Sequence, residues 1–89
     1  MAQSNINIHQ NCTEQLYVIA YDDFEYGKWV LKNRISANMQ DATRIYNEIR
    51  AMRDIDRAVA LISNKKLLTF YAHDRRDFES RLLNHRYIS

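Results

Sequence analysis

Arg57 through Asp74 reads RAVALISNKKLLTFYAHD: an apolar run, a short polar interruption, a second apolar run and then an acid. Arg57–Ser63 and Leu67–Ala72 have strand length, and between them they are rich in branched aliphatic and aromatic side chains. Such residues suit a pleated, half-buried surface, and a break as short as Asn64-Lys65-Lys66 forces the two runs antiparallel. The stretch is read as a β-hairpin, and the remaining segments are placed around it.

Upstream, Leu16–Tyr21 (LYVIAY) is a second strand-forming run, and Lys28–Arg34 follows it after Asp22–Gly27, which holds the one glycine of the chain. Glycine takes a positive φ without steric penalty, so the turn of another hairpin is expected there, with Gly27 in it. On the returning strand Trp29 and Leu31 share one face, and Lys28, Val30, Lys32 and Arg34 share the other. Between the hairpins the apolar period changes to 3.6. Ala42, Ile45, Tyr46, Ile49 and Met52 fall on one side of an amphipathic helix of about fourteen residues. Ser36 or Asn38 can cap it, Asp41 suits its first turn, and Arg50 and Arg53 suit the negative end of its dipole. After the second hairpin Asp74 is the expected N-cap of a short C-terminal helix, DRRDFESRLLNHRY, with Asp77 in its first turn and Phe78, Leu82 and His85 on one face.

The order ββαββα gives an α+β fold: an antiparallel four-stranded sheet with the amphipathic helix laid across one face, and a short C-terminal helix. One domain is expected over residues 16–89, preceded by a flexible polar arm, residues 1–15, whose Ile6 and Ile8 can add an edge strand on binding. Strands with one wet face alternate apolar and polar residues. These do not: Tyr17, Ile19 and Tyr21 oppose Leu16, Val18 and Ala20, and Leu68 and Phe70 oppose Leu67 and Tyr71. The second face therefore needs a cover, and the candidates are the C-terminal helix, a second copy in a homodimer, or a foreign partner. Tyr17 and Trp29 are read as core.

Eighty-nine residues with 46% apolar content support one small folded domain of modest stability. A single cysteine, Cys12, permits neither an intrachain disulfide nor a cysteine-based zinc site, which suits a reducing compartment. No transmembrane run or signal peptide is legible, so a cytoplasmic protein is expected. His9, His73 and His85 are dispersed and match no metal-ligand spacing, and glycines for a phosphate loop are missing, so no metal or cofactor is expected. Arg81 and His85 resemble the Arg and His pair of HEPN ribonucleases, but three residues separate them where that class has at least four. His73 beside Asp74, Arg75 and Arg76 is the one arrangement a general base could use. As a histidine ending a strand ahead of a helix cap it needs no such role, and no enzyme is expected.

The net charge of +2 conceals a split: residues 1–26 carry four acids and no Lys or Arg, while residues 27–89 carry all thirteen cations, nine of them arginine. Arginine suits bidentate contacts and stacking on aromatics. The expected partner-binding set is Arg50, Arg53, Arg57, Lys65, Lys66, Arg75, Arg76 and Tyr71. A protein partner held by tyrosine and arginine anchors is one reading. RNA is the other, with Arg44 joining the cations along the backbone and Tyr17, Tyr21, Trp29 or Tyr71 stacking on unpaired bases.

The layout from Leu16 to Asp74, with hairpin, DATRIYNEIRAM helix and RAVALISNKKLLTFY hairpin, resembles the small accessory proteins of T-even bacteriophages that act as antitoxins and anti-defence factors, the Dmd and TifA types. The resemblance lies in order and spacing and carries over no individual residue. It implies a phage protein in the host cytoplasm that binds and neutralises a host toxin or antiviral defence protein, an endoribonuclease toxin among them, with RNA assisting.

Overall fold

The computed structural model describes residues 16–52 and 57–89. The expected arm and Arg53 lie outside those residues. The elements are β1 (Tyr17–Glu25), β2 (Lys28–Ser36), α1 (Met39–Arg50), β3 (Val59–Ser63), β4 (Lys66–Tyr71) and α2 (Arg75–Asn84). All strand pairings are antiparallel and the sheet order is β2-β1-β3-β4, so each hairpin contributes one central strand and one edge strand. This is the expected ββαββα, α+β fold.

Both faces of the sheet are covered by the chain itself. On one face Ile19, Val59 and Leu61 pack beneath Ala42, Ile45, Tyr46 and Ile49 of α1, with Tyr17 and Tyr21 closing the flank. On the other, Ala20, Ala58, Ala60 and Ile62 pack beneath Phe78 and Leu82 of α2 and Ile88 beyond it. The three alanines leave room for the Phe78 ring, which is 1% exposed, to lie close to the strands. The two-sided apolar character of β1 and β3 thus has its explanation in the C-terminal helix, one of the three covers expected.

Both helices start as their sequences predict. Asn38 and Asp74, each extended, accept the backbone N–H of Asp41 and Asp77 at 3.0 and 3.1 Å. At the end of α2, Arg86 turns left-handed (φ 63°), Tyr87 N–H reaches Leu82 O at 2.9 Å and Arg86 N–H reaches Leu83 O at 3.0 Å. That closure reverses the chain and brings Ile88 onto the sheet. Ser89 N–H then bonds Lys65 O at 3.2 Å, and Lys65 Nζ donates to Arg86 O at 3.1 Å, tying the segment after α2 to the tip of the β3–β4 hairpin.

Several expectations are corrected. The first turn is only Tyr26-Gly27, with φ of 50° and 82°, and β1 runs on through Asp22 and Asp23 because both acids find cationic partners. The second turn is Asn64-Lys65, also with positive φ at both residues, as the tightest hairpins require, and Lys66 belongs to β4. Met52 leaves the helical face because α1 caps at Ala51, and it is half exposed. His85 is the C-cap of α2 and is exposed, its Nδ1 lying 2.9 Å from Arg81 O. Leu68 is the extra residue of a β-bulge: Thr69 pairs with Leu61 and Leu67 with Ile62, so Leu67 and Phe70 both face α2 while Leu68 is exposed.

Candidate functional site

β1 pairs with β3 only from Tyr17 to Tyr21, with one further bond from Asp22 N–H to Ala58 O at 2.9 Å. Beyond that point β1 and β2 continue as a ribbon paired to each other, Asp23 with Val30, Phe24 with Trp29 and Glu25 with Lys28. The ribbon's one side carries Asp23, Glu25 and Lys32, whose ammonium lies 3.0 Å from Asp23 Oδ2 and also bonds Glu25. This pairing lowers the Asp23 carboxyl below its ordinary value and raises the Lys32 ammonium above its own. The other side carries Phe24 and Trp29, packed edge to face with ring centres 5.1 Å apart. Phe24 is 54% exposed, Trp29 37%, and Tyr26 in the turn 97%. Trp29, expected in the core, is a surface residue because it pairs with Phe24 in the part of the β1–β2 ribbon that runs past the pairing of β1 with β3.

Beneath the ribbon, against the start of α2, lies a cleft of about 380 Å³ lined by Trp29, Ala58, Ala72, His73, Asp74, Asp77, Phe78, Asp22 and Arg81. Asp22 is buried, and both its oxygens are held by the Arg81 guanidinium at 2.9 and 2.7 Å. Arg81 also bonds Asp77 Oδ2 at 3.2 Å and lies 5.6 Å from the Phe78 ring centre. The hydrogen bonds to Asp22 hold Arg81 protonated beyond its ordinary range. Arg81 and His85, the pair resembling a ribonuclease motif, are thus occupied by an ion pair and by a helix cap. Among the described residues no group of three or more His, Cys, Asp or Glu is placed to hold a metal ion. No helix among them is long and apolar enough to cross a membrane.

The expected binding residues do not converge. The Arg50 guanidinium lies 5.0 Å over Tyr71 on the α1 side of the sheet, and Arg75 lies 5.2 Å over Phe70 on the α2 side. Arg57 is largely buried, with Nη1 3.7 Å from Asp23 Oδ1. Lys65 and Lys66 are exposed at the far end of β4 from Tyr71, about 16 Å away at the rise of a strand. Arg76 is exposed, and Arg44 is paired with Asp41 and Glu48. Sequence reading missed Phe24, Tyr26 and the cleft. The legible signal was the aromatic-turn-aromatic order FEYGKW at residues 24–29, which the length of β1 turns into an exposed tip. Set against known protein families, curated proteins and solved structures, the chain matches none of them.

Proposed function

We propose that this chain is a non-enzymatic inhibitor that acts by binding another protein, with the tip of the β1–β2 ribbon as its anchor. The observation that carries the reading is the exposure of Phe24, Tyr26 and Trp29 together at the end of one hairpin. Aromatic side chains bring large contact area at small entropic cost, and Trp and Tyr dominate the energetics of protein interfaces. A small domain gains nothing in stability from leaving three of them in water. The partner class follows the resemblance to phage accessory proteins: a host toxin or antiviral defence protein, an endoribonuclease toxin being the favoured case.

Binding to RNA is a second reading, supported by Arg50 over the exposed Tyr71 ring and Arg75 over Phe70. The cations it would use are divided between two faces and two ends of the sheet, which suits a continuous phosphate track poorly. Capture from host lysate with nuclease treatment tests the proposal. The wild type is expected to retain a toxin or nuclease whose activity falls on binding, and Phe24→Ser/Trp29→Ser is expected to lose it while keeping the same circular dichroism. Retention of RNA alone, with affinity falling steeply as salt rises, sinks the inhibitor reading in favour of the second. Charge reversal at Lys66 is expected to spare folding, whereas Lys65 ties the segment after α2 to the hairpin tip, and an unchanged affinity counts against that tip in the contact.

A further inference from the structure

The cleft beneath the ribbon has a composition of its own. Its accessible apolar surface comes from Ala72 and from the indole of Trp29, which forms one wall, over a floor of buried Ala58 and Phe78, and Asp74 and Asp77 stand at the start of α2. The charge of Arg81 is already matched by buried Asp22. Among the described residues two carboxylate oxygens remain uncommitted: Asp74 accepts the Asp77 N–H through Oδ1, and Asp77 accepts from Arg81 through Oδ2. An apolar surface, an exposed indole and two free carboxylate oxygens are together complementary to an alkyl chain ending in a planar cation. The chain lies along Ala72, the cation stacks on the indole, and its N–H groups reach the oxygens.

We infer that this cleft receives an arginine side chain of the protein partner. Guanidinium is preferred to ammonium because it stacks flat on an indole and presents a fork to carboxylates. The inference rests on the protein-binding reading only for the source of the arginine, and the cleft can be tested without the partner.

Trp29 is the one tryptophan, so its fluorescence reports on this wall of the cleft. Titration with acetyl-Gly-Arg-Gly-amide is expected to change that fluorescence saturably, and the neutral isostere acetyl-Gly-citrulline-Gly-amide is expected to bind about two- to fivefold more weakly. Asp74→Asn/Asp77→Asn is expected to fold normally, because asparagine caps a helix as well as aspartate does, and to diminish the difference between the two peptides. Equal responses to the two peptides, or an undiminished preference for arginine in the double variant, overturn the assignment. Capture of a partner together with no arginine preference overturns the cleft alone. An arginine preference together with no captured protein upholds the cleft and overturns the inhibitor reading.

Discussion

Arg81 on α2 holds the buried carboxylate of Asp22 on β1 through two hydrogen bonds, 2.9 and 2.7 Å long, joining residues 59 apart in the chain. The pair fixes α2 against the sheet at the point where β1 leaves β3 and becomes the ribbon. Removing one member leaves a charge in a place built for two. Arg81→Met is expected to destabilise the fold towards the lower end of ~3–5 kcal/mol, because Arg81 itself is 30% exposed and partly screened. Asp22→Leu/Arg81→Met, which removes both charges, is expected to recover most of that loss. Urea unfolding of both variants checks it, and equal losses would contradict the pairing argument.

Backbone conformation offers a pair of changes with opposite signs. Arg86 sits at φ 63°, where a side chain is strained and glycine is not, so Arg86→Gly is expected to stabilise by about 0.5–1 kcal/mol. Gly27 sits at φ 82° with nothing within 4 Å of where a Cβ would stand, so Gly27→Ala is expected to destabilise by about 1 kcal/mol through backbone strain alone. Thermal midpoints should move by several degrees in opposite directions, at roughly 4–8 °C per kcal/mol.

Acid should weaken the entry to α1. Hydrogen bonds from Arg44 and then from Ser36 hold the Asp41 carboxyl below its ordinary value of 3.8. A carboxyl depressed on folding contributes fully above its unfolded pKa and loses that contribution as pH falls through the folded one. The wild type should therefore lose stability more steeply than Asp41→Asn as pH falls below 3.8. Urea midpoints measured across that range for the two proteins should converge, and parallel curves would count against it.

Among the described residues Phe78 is the largest side chain wholly buried, and it carries the contact of α2 with the sheet. Phe78→Ala is expected to cost about 3–5 kcal/mol and to expose the alanine-lined face, read out as binding of a hydrophobic dye at temperatures where the wild type binds none. Leu83, half exposed on the same helix, should tolerate alanine within about 0.5 kcal/mol.

Much of the fold was legible because burial leaves a periodic trace. Ala42, Ile45, Tyr46 and Ile49 announce their helix at a period of 3.6, and the unbroken apolar run of β3 announces a strand covered on both sides. Asn38 and Asp74 announce their caps by type and position alone. What periodicity does not carry is pairing between distant groups. Asp22 and Asp23 look like turn residues in the sequence because their partners, Arg81 and Lys32, are chosen by the fold, and those partners move the turn and create the ribbon. The extra residue Leu68 shifts strand parity in a way no alternation rule registers. For the candidate site the gap is larger. Cations close in composition and order are separated in space, because the sheet sends Arg50 and Arg75 to opposite faces.

The bulge at Leu68 also bears on what the sheet can grow into. An edge strand with regular spacing is a template on which another chain can continue the ladder, and polymerisation follows if the addition repeats. On β4 the two-for-one step between Leu67 and Thr69 breaks the spacing of the outward-facing amides in mid-strand. Among the described strands, the β4 margin is therefore interrupted by geometry, and the ladder cannot continue along it without a break in register.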